Sequence, residues 1–128
     1  MKTYRFKRNP DPDKWDDIKI TVEKDLKQIV KHSPTGMEWG YLGSGPADTA
    51  LSILTDIYGK DSEIPEVLYM DFKATFIASM SKDGGELEER KIRDWCQIKL
   101  AALFHCEVCG RYLRNKNYCP SCIKRLKA

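Results

Sequence analysis

Two short segments near the start of the chain alternate between apolar and polar residues. Tyr4 and Phe6 stand between Arg5 and Lys7, and Ile18, Ile20 and Val22 are separated by Lys19 and Thr21. A period of two sends successive side chains to opposite faces, so each segment reads as a half-buried strand. Residues 9–17, NPDPDKWDD, lie between them, and Pro10 and Pro12 block helix there, which predicts a turn-rich loop closing an antiparallel hairpin. Trp15 reads as the anchor that packs this loop down rather than as an exposed contact. Leu26, Ile29 and Val30 fit either a third strand or a turn of helix.

The period then lengthens. Ala47, Ala50, Leu51, Leu54 and Tyr58 fall on one face of a helix entered at Pro46, with Ser44 or Gly45 as its cap, Asp48 in its positive first turn and Gly59 as its stop. A second helix begins at Ser62 with Pro65 early in it, and Leu68, Phe72, Phe76 and Met80 recur every four residues. Widened by Val67, Tyr69 and Ile77, that stripe reads as core packed on the first helix, ending at SKDGG, residues 81–85. A third helix, from about Leu87 to Phe104, lines up Ile92, Cys96, Leu100 and Leu103 beside Trp95 and Ile98, with Glu88, Glu89, Arg90 and Lys91 facing water. Cys96 reads as a small buried hydrophobe. The fold class is therefore α+β, an N-terminal antiparallel hairpin packed on two to three helices, with domains over 1–104 and 105–128.

Between the hairpin and the first helix lies HSPTGMEWGYLGSGPADTALSIL, residues 32–54, which holds Gly36, Gly40, Gly43 and Gly45. Pro34 disfavours helix for Ser33, so Ser33 to Gly45 should be a shaped loop. Its free amides before a helix offer an anion or ligand loop at Ser33, Thr35, Trp39, Ser44 and Gly45. The spacing and lysine of a nucleotide P-loop are missing, and the architectural reading, in which glycines let Trp39 and Tyr41 pack beneath the loop, is preferred. Ser33 to Gly36, Glu38 to Tyr41 and Gly43 to Ala47 resemble the signature SPTGFEWGYGGSGPAQLALALL of an uncharacterised domain family met in phage, plasmid and other mobile-element contexts. The resemblance extends more weakly to Tyr69, Phe72 and Lys73, and Met37, Leu42, Asp48 and Thr49 depart from it. It implies one compact domain over the first two-thirds of the chain and carries no activity.

The 128 residues are 41% hydrophobic, enough for a packed core, and no apolar run reaches membrane-spanning length. A charged N-terminus without an apolar stretch behind it predicts no secretory signal, so a cytoplasmic protein that does not associate with membranes is expected. The net charge of +3 is uneven: residues 1–8 carry four cations and no acid, residues 106–128 carry six cations against Glu107, and residues 9–105 carry 12 basic against 18 acidic residues. A basic end of this kind suits an acidic partner.

The sharpest chemical signal is the pair of CxxC motifs at Cys106, Cys109, Cys119 and Cys122. Two intervening residues let a turn aim both thiolates at one ion, and two such pairs supply the four ligands of a tetrahedral structural zinc site. Disulfides are the competing reading, disfavoured without a secretory signal; an iron centre would take the same ligands. The pattern predicts a small zinc ribbon or treble clef with zinc as its cofactor. A closed thiolate shell leaves no position for water, so its role is structural.

Three functional classes follow, in order. The first is a small non-enzymatic interaction protein, a phage or mobile-element accessory factor that binds and modulates a host protein. The second is a nucleic-acid binder using Arg111, Tyr112, Arg114, Lys116, Lys124, Arg125 and Lys127. The third is an enzyme with its site at the His32–Ser44 loop. With only His32 and His105 available, no catalytic triad can be assembled from motifs.

Overall fold

A computed structural model describes residues 1–15, 17–113 and 121. The chain divides into two compact units, Met1–Ile92 and Arg93–Ala128. The first is α+β. Strands β1 (Thr3–Arg8) and β2 (Ile18–Val22) form the expected antiparallel hairpin, Phe6 facing Ile20 and Arg8 facing Ile18. The hairpin loop carries a 3-10 turn over Pro12–Lys14, opened by Asp11, whose carboxylate accepts the Asp13 N–H at 3.0 Å. Two further strands extend the sheet. The two-residue β3 (Lys24–Asp25) follows β2 directly, and β4 (Gly84–Glu88) pairs antiparallel with β1, which gives the order β3-β2-β1-β4.

Strand β4 corrects the sequence expectation of a helix starting at Leu87. Its sequence, GGELE, has a single apolar residue, Leu87, which is buried opposite Tyr4, so no alternation announces it. Gly84 has φ +119°, and a Cβ there would lie 2.1 Å from the Phe6 carbonyl oxygen, so the turn into this strand accepts no side chain. The third helix, α3 (Glu89–Ala101), begins two residues later than predicted. Glu89 does not face water: it is buried, its N–H donates to the Lys2 carbonyl at 2.9 Å, and its carboxylate accepts the Lys2 N–H at 3.3 Å.

Helix α1 (Ser44–Tyr58) starts two residues before Pro46, and its cap is Gly43 rather than Ser44 or Gly45. It stops at Gly59, whose N–H donates to the Thr55 carbonyl. Every residue from Gly45 to Leu54 is buried, so the helix is enclosed on all sides over the ten residues that follow the exposed Ser44 and not on the predicted stripe alone. Helix α2 (Ile64–Phe72) has Pro65 in its first turn, as expected, then passes into a π-turn over Lys73–Ile77, where the Ala78 N–H reaches back to the Lys73 carbonyl at 2.8 Å. The extra residue shifts the apolar line: Leu68 and Phe72 are followed into the core by Ile77, fully buried, instead of Phe76 and Met80, which are half-buried. The core gathers Tyr4, Phe6 and Ile20 of the sheet, Ile53 and Leu54 of α1, and Phe72 of α2, each large side chain contributing about 2 kcal/mol on burial.

In the second unit α3 runs on to Ala101, and β5 (Phe104–His105) pairs antiparallel with β6 (Tyr112–Leu113). Cys96 is fully buried, in keeping with its place on the apolar line, while Ile98 is 72% exposed. Among the described residues no helix is long and apolar enough to cross a membrane.

Candidate binding cleft and cysteine knuckle

Three polar residues of α1, all buried, fix the loop that precedes it. The Asp48 carboxylate accepts three successive backbone N–H groups, from Lys31 at 3.1 Å, His32 at 2.9 Å and Ser33 at 2.9 Å, and the Gln28 side-chain amide at 3.3 Å. Burial pushes this carboxyl toward the neutral form, but the donors from Ser33, His32, Lys31 and Gln28 outweigh it and hold its pKa below the ordinary aspartate value. Ser52 Oγ accepts the Ile29 N–H at 2.7 Å and sits 2.6 Å from the Asp48 carbonyl. Thr49 Oγ1 accepts the Glu38 N–H at 3.0 Å and lies 2.7 Å from the Glu38 carbonyl. Asp48 therefore does not complement the helix dipole, as its position had predicted. It is the internal anion for a nest of loop amides.

Arg8 secures the other side of the same loop. Its side chain is only 3% exposed and is paired with the Glu38 carboxylate. Its Nε donates to the Lys82 carbonyl at 2.8 Å and its Nη1 to the Trp15 carbonyl at 2.6 Å. The guanidinium lies 4.7 Å from the ring centres of both Trp15 and Trp39. One cation thus ties the hairpin loop, the glycine loop and the turn before β4 to the end of β1. Trp15 is 41% exposed yet held through this stack, whereas Trp39 is buried, edge-on to Phe6, with its indole N–H donating to the Ser81 carbonyl at 3.0 Å.

Between the glycine loop and β2 opens a cleft of about 570 Å³. One wall is the Ile18–Ile20 segment with Asp25 and Leu26; the other is Ser33, residues 35–38, Tyr41 and Gly45. Of the five loop residues singled out by sequence, Ser33, Thr35 and Gly45 line the cleft, Trp39 lies in the core, and Ser44 is exposed at the helix start. Ser33 Oγ and Thr35 Oγ1 are 3.3 Å apart. Gly45 is required by close approach, since a Cβ there would stand 2.8 Å from Glu38 Cβ and 3.2 Å from the Tyr41 hydroxyl. The His32 ring stacks on Tyr69 instead, its Nε2 2.7 Å from the Tyr69 hydroxyl. Nothing in local sequence couples Arg8 to Glu38, or Asp48 to residues 31–33; the signals available were a buried-helix aspartate and a cation at a strand end.

In the second unit the Cys106 N–H donates to the Arg111 carbonyl at 2.7 Å and the Gly110 N–H to the Cys106 carbonyl at 2.8 Å, closing a tight turn in which Gly110 has φ +78°. Cys106 is buried, with Leu113 packed against it, and Cys109 is exposed. The CxxCG spacing predicts a turn here; the strands that flank it are Phe104–His105, where the third helix had been expected to end, and Tyr112–Leu113. Arg111 is exposed and Tyr112 half-buried, its ring 4.5 Å from that of His105. Cys119, Cys122, Arg114, Lys116, Lys124, Arg125 and Lys127 lie outside the described residues. Among the described residues no cluster of three or more His, Cys, Asp or Glu side chains is placed to hold a metal.

No curated protein and no solved structure matches the chain. A family model does, over residues 11–98, a span that takes in the glycine loop and the cleft and ends before the first CxxC pair. The chain belongs to that family, a family of unknown function designated DUF6166.

Proposed function

We propose that this is a small non-enzymatic interaction protein, an accessory factor that binds and modulates a host protein through the cleft of its first unit. The observation that carries this reading is the form of the cleft: about 570 Å³, bounded by a sheet edge and a braced loop, with Tyr41 46% and Leu42 68% exposed in that loop. Clefts with apolar and convergent polar groups of this kind bind ligands or peptides. The carboxylates beside the loop are committed to its shape, Glu38 of the loop to Arg8 and Asp48 of α1 to three amides, which suits a rigid recognition surface better than proton transfer.

The second unit, on this reading, is a structural zinc module held by Cys106, Cys109, Cys119 and Cys122. The hairpin turn with its left-handed Gly110 supports the first half of the site. Thiolates at CxxC spacing match zinc, which would tie the short hairpin to the residues beyond it.

The test is capture from host lysate, with and without nuclease, by the wild-type chain and by Thr35→Trp. Thr35 is exposed on the cleft wall, so an indole there fills the space without entering the core. Nuclease-resistant capture that disappears in Thr35→Trp at unchanged Tm is the expected result. Equal capture by both proteins overturns it. Capture that nuclease abolishes, and that Arg111→Ala weakens, assigns the function to the basic C-terminal residues and to nucleic acid.

A further inference from the structure

On the side away from β3 the sheet ends at β4. The Glu89 N–H bonds to the Lys2 carbonyl at 2.9 Å, and the same register places Leu87 opposite Tyr4 and Gly85 opposite Phe6. In an antiparallel ladder hydrogen-bonded pairs alternate with non-bonded ones, so Gly85 and Leu87 bond to β1 while Gly84, Glu86 and Glu88 turn their backbone groups outward. The Gly84 N–H closes the preceding turn onto the Ser81 carbonyl at 2.9 Å. The Gly84 carbonyl, the N–H and carbonyl of Glu86 and the Glu88 N–H have no hydrogen-bond partner among the described residues. Gly85, Glu86 and Glu88 are exposed, so this stretch of the edge is open to solvent.

The charges specify what would fit. Leu87 is buried on the core face, so Glu86 and Glu88 stand on the solvent face of the sheet. Glu86 pairs with Arg5 across the ladder at 3.2 Å, both side chains well exposed, whereas Glu88 lies opposite Thr3 and has no ion-pair partner among the described residues. A second copy of the chain that paired here and engaged the Glu88 N–H would set glutamate against glutamate, which disfavours self-assembly through this edge. A strand carrying cations meets the opposite condition.

We infer that β4 accepts a short extended segment of a basic partner as a fifth, antiparallel strand, with a Lys or Arg opposite Glu88 and a second opposite Glu86. This goes beyond the cleft reading, because β2 walls the cleft and β4 lies at the other edge of the sheet. Residues directly opposite in antiparallel strands point the same way, so the two cations meet the glutamates on the solvent face and the residues next to them share the face of Leu87 and Gly85. Gly85 has no side chain, and a Cβ there would lie 3.5 Å from Cγ and Sδ of the half-buried Met80, so an apolar residue opposite Gly85 has Met80 to pack on. The segment's N–H groups opposite Glu86 and Gly84 would donate to those two carbonyls, and its carbonyls opposite Glu86 and Glu88 would accept the two outward N–H groups. Such strand addition takes affinity from main-chain bonds and specificity from alternate side chains.

The probe is the peptide acetyl-Lys-Val-Lys-Val-Thr-amide, titrated into isotope-labelled full-length protein while backbone amide resonances are followed. Saturable shifts of the Glu86 and Glu88 amides are expected. The same peptide N-methylated at its second lysine and its threonine, the two residues that donate to β4, should produce none. Replacing both lysines by glutamate should weaken binding about fivefold, and Glu88→Lys should come to prefer a glutamate at the first peptide position. Glu86→Pro removes an outward N–H from an edge strand, where proline is tolerated, and should abolish the shifts. Thr35→Trp, which blocks the cleft, should bind the peptide as the wild type does. Undiminished binding of the N-methylated peptide, shifts confined to amides away from β4, or loss of binding in Thr35→Trp would overturn the inference. Lysate capture sensitive to Thr35→Trp, together with no peptide response at β4, overturns strand addition and leaves the cleft reading standing.

Discussion

Two tight turns carry the polar chemistry of this chain, and they solve one problem in opposite ways. At Lys31–Ser33 three consecutive amides converge, and the compensating charge comes from within, from the buried Asp48 carboxylate. At Cys106–Gly110 the chain brings two thiols into a hairpin turn, and the compensating charge, on the reading proposed above, comes from an ion in solution. The first turn is complete once α1 forms, so it can brace a cleft. The second, on that reading, depends on a ligand. Arg8 repeats the first solution with the sign reversed, a buried cation satisfied by Glu38 and two backbone carbonyls.

The largest effect should come from breaking the cysteine turn, if the proposed zinc site holds it. Zinc binding to four thiolates is on the order of 10 kcal/mol and is folding energy for a module with few apolar groups. Protein purified without added metal should contain close to one zinc per chain by elemental analysis. Cys109→Ser should lose that zinc and the dispersion of amide resonances from residues 104–113, while those of Met1–Ile92 persist. Four thiols titrating as two disulfides in fresh protein would defeat the zinc assignment.

Next come the internal charges. Arg8→Ala leaves Glu38 half-buried without its cation and removes the group stacked between Trp15 and Trp39, at a cost of about 4 kcal/mol. Thermal unfolding should show it, together with a change in tryptophan fluorescence. Asp48→Asn keeps the shape but turns an NH2 toward amides that themselves donate, costing about 3 kcal/mol, or roughly 10 °C in Tm.

The same residue fixes the sign of a pH dependence. Because the folded-state pKa of Asp48 lies below the unfolded value, its contribution is fully present above about pH 4 and is lost as pH falls through the lower, folded value. Asp48→Asn should therefore flatten the acid limb of stability against pH. An unchanged acid limb would show that another group governs it.

These two solutions were unequally visible in the sequence. The cysteine turn was legible because its information is local: a spacing of three and a following glycine state the geometry. The hairpin and α2 were legible through period, and α1 through its glycine and proline punctuation. Asp48 was misread because a carboxylate in the first turns of a helix ordinarily serves the helix's own amides, whereas here the donors come from residues 31–33. Strand β4 was missed because its one buried residue, Leu87, leaves no alternation to count, and its place is set by pairing with β1, near the far end of the same unit. The π-turn at Lys73–Ile77 broke the four-residue period that continued, in sequence, through Phe76 and Met80. The cleft depends on where β3 ends and the loop returns, which no short motif records.

The smallest effect should separate backbone from side chain within the Asp48 nest. Lys31 supplies an N–H to Asp48, while its ammonium pairs with Glu66 at the surface and lies 5.1 Å from the Tyr69 ring centre. The Glu66 hydrogen bond, opposed by a small desolvation, raises the lysine pKa, but both partners are well exposed and water screens the pair. Lys31→Gln removes the cation and keeps the N–H. The expected loss is about 0.5 kcal/mol, one or two degrees in Tm, diminishing as salt is added. Amide exchange at Lys31, His32 and Ser33 should stay as slow as in the wild type, because the donors to Asp48 are unchanged. A loss as large as that of Asp48→Asn, with fast exchange at these three amides, would show that the surface pair and not the buried carboxylate holds the loop.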